Sequence, residues 1–491
     1  MRYAGLLSSP LRRRKAIDEK RRVRRVLVAL GVALLAPCAT VGSSVADTLN
    51  GALARAYTGN PDINQTRAGV RARDEDAPKA AAGMRPKASI SANAGPEYAN
   101  VNIPAGRNTT TGQRQFYSDK FVGYPRGATL NLSQTIFDGG RTSNSVRQAE
   151  SSMLAARAGL RQTEQTLLQN VVAAYMNMLR DMAIAGLRQS NVKVLDEQLR
   201  FTRDRFQVGE VTRTDVAQAE ASLAQARSDL SAAQAAVKID AATYRQLVGA
   251  APKRLEPAQS VERLLPKSID RAIEIAVVGS PAVINAEHQV DAAELAVKVA
   301  ESALSPTLSV SAQVGPQYDS FLGFPGSRQF AAQATGTLNV PLYQGGSEYA
   351  SIRQAKELLG QAKLNADLQR DSARAGVVTS FAQLQTAKAS IVSNEAAARA
   401  AEIALTGVRE EAKVGQRTTL DVLNAQLALV NARVNLVASQ RDRVVASYAA
   451  LASIGRLSIR DLGLNASEYD PDTHFQQVKD KWIGVQVPDG R

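Results

Sequence analysis

The chain has 491 residues and a formal net charge of +14, with 44% apolar residues but only 5% aromatic ones. Alanine dominates the apolar share, which suits long helices packed through small side chains better than a thick globular core. The charge excludes less than its size suggests, because residues 1–25 hold ten basic residues against Asp18 and Glu19, a net +8 of the total. A basic nucleic-acid surface is therefore not expected.

The basic stretch runs into VLVALGVALLA at 26–36, an uncharged apolar run too short to span a bilayer. Ser44 and Ala46 then place small residues three and one positions before Asp47. A basic start, a short apolar segment and a small-x-small site predict a secretory leader over residues 1–46. Cys38, the only cysteine, follows Pro37 and reads as a small residue of that leader, so the mature chain has no disulfides. His288 and His474 stand apart from carboxylate clusters, and no H-E-x-x-H, G-x-S-x-G or phosphate-loop pattern occurs. No enzyme chemistry, metal or cofactor is expected.

Beyond the leader the chain is a duplication. NPD at 60–62 is matched by SPA at 280–282, and RPKASISA at 85–92 by SPTLSVSA at 305–312, both offset by 220 residues. IFDGGRT at 136–142 is matched by LYQGGSE at 342–348, offset by 206. The interruptions FQVGEVTRTD and EAKVGQRTTLD share that offset, Gly209 with Gly415 and Asp215 with Asp421. Only the segment between Pro86 and Gly139 differs in length, being 14 residues longer than its twin between Pro306 and Gly345. The expected divisions are a first repeat over 47–263, a second over 264–460 and a C-terminal segment over 461–491.

In the first repeat a short helix is expected over 62–85, then a strand–loop–strand unit over 86–138. Residues 88–95 and 128–137 alternate, with Leu130 and Leu132 set against Thr129, Asn131 and Ser133. Residues 141–206 follow without proline, 66 residues that as one helix would run roughly 100 Å. After the tip at 208–215 a return helix carries the heptad column Val216, Leu223, Leu230, Val237 and Tyr244, ending near Gly249. The second repeat copies this plan: a helix over 282–304, alternating strands within 306–342, a long helix over 347–412, and a tip at 414–421. Its return helix, with Leu423, Val430, Val437, Val444 and Leu451, ends near Gly455. Each return helix plus the short helix of its own repeat matches the long helix in length, which predicts end-to-end stacking at uniform height.

Period-2 alternation over about ten residues with one polar face is the pattern of a transmembrane barrel strand, and also of a soluble hairpin. In an exported chain without an apolar helix the barrel is the better expectation, since only helices and closed barrels satisfy their backbone in lipid. Four strands cannot close a membrane barrel, which starts at about eight. Two, three or four copies would give eight, twelve or sixteen, and periodicity does not choose.

The leader, the two strand–loop–strand and helical-hairpin units, TIFDGGRT, VPLYQGGS and the twin Val-Gly tips together make the chain resemble the TolC family of outer-membrane channel-tunnels, over essentially the whole mature sequence. The ending YDPDTHFQQVKDKWIG at 469–484 resembles the type I secretion branch. The resemblance implies a mainly α protein with a membrane β-barrel. It would be a homotrimer with a 12-stranded barrel in outer-membrane lipid, a long α-helical barrel across the periplasm of a Gram-negative bacterium, and an equatorial girdle from 249–280 and the C-terminal segment. It implies a passive duct for type I protein secretion or multidrug efflux, whose tip turns at Val208, Gly209, Val414 and Gly415 dock a periplasmic adaptor and an inner-membrane ABC or RND-type transporter.

The tips carry the candidate site residues. Glycine reaches positive φ without penalty and so ends a helix, and Thr212–Asp215 and Thr418–Asp421 both read T-x-x-D, which capping alone explains. The resemblance implies more: Arg417 bonding Thr214 and Asp215 to close the entrance, and Asp421 as a cation-selective ring. Ala412 stands where the family has a latch tyrosine, and Asn424 where it has a second aspartate, so a looser, less selective gate is expected. The competing expectation is a periplasmic adaptor, which has one hairpin rather than two.

Overall fold

A computed structural model describes residues 47–319 and 326–488. The expected leader and Cys38 lie outside the described residues. Three short helices open the described chain: α1 (Leu49–Gly59), α2 (Pro61–Asp74) and α3 (Asp76–Ala81). Four strands follow, β1 (Lys87–Ala94), β2 (Glu97–Arg107), β3 (Arg114–Gly123) and β4 (Arg126–Phe137). The first hairpin is α4 (Arg141–Gln207) and α5 (Arg213–Val248). The second repeat runs α6 (Ile269–Gly279), α7 (Pro281–Glu301), β5 (Thr307–Tyr318), β6 (Arg328–Asn339), α8 (Ser347–Lys413) and α9 (Thr419–Ser453), and α10 (Pro471–Val478) closes the chain.

The long helices α4 and α8 are 67 residues each, one longer than expected. The first short helix departs from the expectation. Residues 62–85 are not one helix but break at Glu75, between α2 and α3. Pro78 explains the break, since it has no N–H to donate to the carbonyl four residues back, at Asp74. The twin stretch has no proline inside it, and α7 runs unbroken for 21 residues.

End-to-end stacking is present in both repeats, through different contacts. Asn60 accepts the Asp62 N–H at 2.8 Å, capping α2, and its Nδ2 donates to the Leu247 carbonyl at the end of α5 at 2.9 Å. In the second repeat α9 ends at Gly455, whose φ is +78°. A Cβ there would lie 2.4 Å from the Gly279 carbonyl oxygen, so only glycine lets the two helix ends meet.

The largest core lies where these junctions meet the middle of α4. Leu53, Tyr57, Ile63, Val171, Tyr175, Tyr244, Leu451 and Leu457 are buried together. The Tyr175 hydroxyl lies 2.6 Å from the Asp47 carbonyl and 2.7 Å from that of Glu256, and burial pushes its pKa up to about 12. The connection after α5 is fastened to the second hairpin by Glu262, which accepts from Arg443 at 2.8 Å and pairs with Lys388 at 2.6 Å. Burial raises the Glu262 carboxyl, but these cations and Ser260 outweigh it and hold its pKa at about 2.

The strands form one antiparallel sheet in the order β1-β4-β5-β6, the four strands expected. The segment expected as a variable loop is instead a second hairpin, β2–β3, paired from Glu97↔Gly123 to Arg107↔Arg114. It continues the β1–β4 hairpin across Gly95, whose N–H bonds the Pro125 carbonyl at 3.2 Å.

Candidate functional site: a two-faced sheet and two hairpin tips

Register sorts the sheet into two faces. Ile90 lies opposite Leu130, Leu130 opposite Val314 and Val314 opposite Ala332. One row further along the sheet, Ala88, Leu132, Ala312 and Ala334 align in the same way. The other face carries Ser91, Thr129, Asn131, Ser311, Gln313, Gln333 and Thr335, with Asn131 donating to Ser91 at 3.1 Å. Because side chains alternate strictly in a strand, the one-residue offset between faces is what separates them. Neither face is covered by another element, and Ile90, Leu130, Leu132, Val310, Phe330 and Leu338 are exposed. An uncovered apolar face backed by a polar one suits lipid outside and water inside. The strands are 8 to 12 residues long, close to the nine to eleven or so that cross a bilayer when tilted.

Aromatic residues gather at both ends. Phe137 and Tyr343 mark the helix side, while Tyr124 and Phe330 mark the far side, all exposed. Such girdles sit at the two membrane–water interfaces of barrels. Among the described residues no helix is long and apolar enough to cross a membrane.

Far from the sheet, each long helix ends in the same way. Gly209 (φ +82°) donates to the Phe206 carbonyl at 3.0 Å and Glu210 to the Arg205 carbonyl at 2.9 Å. Gly415 (φ +78°) and Gln416 repeat these bonds to Ala412 and Glu411 at 3.3 and 2.9 Å. This is the paired C-terminal cap that a left-handed residue permits. The next helix then starts on a capping box in both tips. Thr212 accepts the Asp215 N–H while Asp215 accepts the Thr212 N–H at 2.9 Å, and Thr418 and Asp421 do the same at 3.0 Å. These bonds hold both carboxyls below their usual range, Asp215 through the Thr212 hydroxyl first and Asp421 through the Thr418 N–H first. Val208 and Val414, the residues before the glycines, are 71% and 72% exposed.

The remaining sites fall as follows. Arg417 donates to Glu411 of its own tip at 2.8 Å, which raises its pKa. No bond joins it to Thr214 or Asp215 within the chain, and Thr214 is exposed. Asp421 and Asn424 lie three residues apart on α9, hence on one helix face. Sequence reading passed over a buried bridge nearby. Gln426 donates to Asn191 of the first hairpin at 3.0 Å and accepts from Arg409 at 2.9 Å. The repeat offset could have flagged it, because the first-repeat twins, Arg203 and Glu220, make an exposed ion pair at 2.5 Å. Glutamine, unlike glutamate, can donate as well as accept.

The outer membrane efflux protein family matches residues 52–250 and 272–456, one stretch in each repeat. The chain belongs to that family. It is 42% identical to the outer membrane efflux protein BepC of Brucella suis, over 95% of this chain and 98% of that protein. It is 26% identical to the alkaline protease secretion protein AprF of Pseudomonas aeruginosa, over 79% of this chain and 80% of that one. The fold is that of the Campylobacter jejuni CmeC outer membrane channel, with a TM-score of 0.71 at 17% identity over 88% of this chain and 89% of that one. This efflux-family chain is an outer-membrane channel protein rather than a periplasmic adaptor, and the two matched stretches are its two hairpin repeats. Among the described residues no cluster of side chains could hold a metal ion.

Proposed function

We propose that three copies of the chain close a twelve-stranded outer-membrane barrel, continued by an α-helical barrel across the periplasm, and that the assembly is a passive exit duct. The observation that carries this reading is the four-stranded sheet with an uncovered apolar face and two unpaired edges, β1 and β6. Such edges need partners in lipid, and another copy's sheet supplies them. The helices support the same reading. Leu364, Leu368, Val392 and Ile403 leave an exposed apolar stripe along α8, interleaved with Ala375, Ala382, Ala389 and Ala396, and a neighbouring copy would cover it.

The duct is inert by itself. A periplasmic adaptor and an inner-membrane ABC or RND-type transporter dock at the tips around Val208-Gly209 and Val414-Gly415 and supply the energy. Cargo follows the relatives: solutes, as BepC's efflux name indicates, and secreted protein, as AprF's name indicates. Arg417 latches to Thr214 and Asp215 between neighbouring copies, since the two tips are not bonded within one chain. Asp421, held ionised by its cap, forms a ring of three carboxylates that favours cations, with Asn424 adding no charge.

Planar-bilayer recording of the purified channel tests the reading. Arg417→Ala is expected to raise single-channel conductance and Asp421→Asn to reduce cation selectivity. If both variants conduct and select like the parent, the gate assignment is wrong. If the purified chain forms no discrete channels at all, the duct itself is wrong.

A further inference from the structure

The C-terminal segment, described as far as residue 488, reaches the rim of the sheet. It is strapped along the first repeat toward the sheet: Arg157 pairs with Asp472 and lies 5.7 Å from the Phe475 ring, and His474 Nδ1 is 2.8 Å from buried Asp74. Val478 is fully buried. The strap then meets Arg85, which donates to the Lys481 carbonyl at 3.0 Å and places its guanidinium 4.8 Å from the Trp482 ring centre. Two residues later, at Lys87, β1 begins. Trp482 is therefore held at the helix-side rim of the sheet, the end that also carries Phe137 and Tyr343.

Past that point the chain turns apolar outward. Trp482, Ile483, Val485 and Val487 are 64%, 91%, 101% and 45% exposed. The chain bends at Ile483 and turns at Gly484, whose φ is +119°, and Ile483, Val485 and Val487 on either side of that turn all stay open to the surroundings. The Lys481 ammonium donates to the Gln486 carbonyl at 2.6 Å, which folds the segment back beside the rim. Lys479, Lys481, Arg85 and Lys87 surround it with positive charge against Asp480.

We propose that residues 482–487 are an interfacial anchor that lies in the periplasmic leaflet of the outer membrane. Phospholipid covers Ile483, Val485 and Val487, Trp482 sits among the headgroups, and the neighbouring lysines face headgroup phosphates. Tryptophan favours that depth because its ring is apolar and its N–H needs a polar partner. Lysine and arginine beside an apolar segment add attraction to anionic lipid. The proposed surface lies at the rim where β1 begins, and it rests on that sheet being the membrane-spanning part.

Trp482 is the chain's single tryptophan, so its fluorescence reports on this segment alone. The full chain is reconstituted in phosphatidylethanolamine–phosphatidylglycerol vesicles, with doxyl quenchers placed near the headgroup or near the acyl-chain end. The expected result is blue-shifted emission, quenched strongly by the shallow doxyl lipid, less by the deep one and little by aqueous iodide. The variant Ile483→Ser/Val485→Ser/Val487→Ser is expected to shift emission to the red and lose most of the doxyl quenching. Emission open to iodide would overturn the anchor, as would emission shielded from both quenchers, which would place Trp482 against another copy of the chain. A triple variant that keeps the parent's quenching would also overturn it. The double variant Trp482→Phe/Leu338→Trp separates the two levels: quenching at Leu338→Trp without quenching at Trp482 sinks only the anchor, whereas its absence at both sinks the membrane placement of the sheet.

Discussion

The two repeats share a plan but not their chemistry. Both tips use the same glycine turn and the same threonine–aspartate box, yet the ion pair that braces each turn is reversed. Arg205 on the helix end binds Glu210 in the first tip, and Glu411 on the helix end binds Arg417 in the second, both at 2.8 Å. An arginine at a helix C-terminus complements the dipole, whereas a glutamate there opposes it. The second tip is thus the less favourably braced of the two, and it is the one carrying the proposed latch and filter. The contrast continues one turn up the helices. The first repeat spends its arginine on an exposed pair with Glu220, while the second uses Arg409 and Gln426 to reach across to Asn191. Duplication supplied equivalent positions, and the second copy became the one that grips its neighbour.

The bridge is the sharpest place to break this comparison. Gln426→Leu leaves the buried Asn191 amide without its partner, a loss of about 1–3 kcal/mol, while Glu220→Leu removes an exposed pair worth at most about 1 kcal/mol. Thermal melting followed by circular dichroism should show the larger drop for Gln426→Leu, and equal drops would mean that the two positions are energetically alike. The caps test the opposite point, that the tips are equivalent. Thr212→Ala and Thr418→Ala should each cost about 1 kcal/mol, and a clear inequality in melting would show that one box is not carrying its turn.

Glu262 offers a pH-dependent test of the fastening between the repeats. Its folded pKa of about 2 lies below the ordinary 4.5, so its stabilisation is fully present above the unfolded value and fades as pH falls from there toward 2. Glu262→Gln should lower the melting temperature at neutral pH by a few degrees, and the gap to the parent should close on acidification through that window. A gap that widened in acid would contradict the assignment. The smallest effect is expected where the repeats differ most in length. Among the described residues the second repeat has no counterpart of β2–β3, so replacing residues 97–123 with a short turn should leave outer-membrane assembly and conductance unchanged. Lost assembly would make the ribbon a structural part of the barrel.

Much of this was readable without coordinates because it is local. A 67-residue helix, its glycine stop and its capping box are written in residues a few positions apart, and strand alternation is a period of two. The break at Glu75 was equally local and could have been read from Pro78. The ribbon is harder to read, since Ala99, Val101, Ile103 and Ala105 do alternate with Asn100, Asn102, Pro104 and Gly106 but those Asn, Pro and Gly residues are also loop formers, and its pairing comes from continuing a hairpin already formed below it.

Sequence by itself determined the duplication, the lengths and ends of the long helices, and which strand residues are apolar, since each depends on near-neighbour sterics and periodicity. Only the tertiary structure decided who meets whom: Gln426 with Asn191 across 235 positions, Glu262 with Arg443 across 181, and Arg85 with Trp482 at the rim. Those partners are chosen by how long helices lie against one another, and a shift of one residue along a helix turns a side chain about 100° away from its mate.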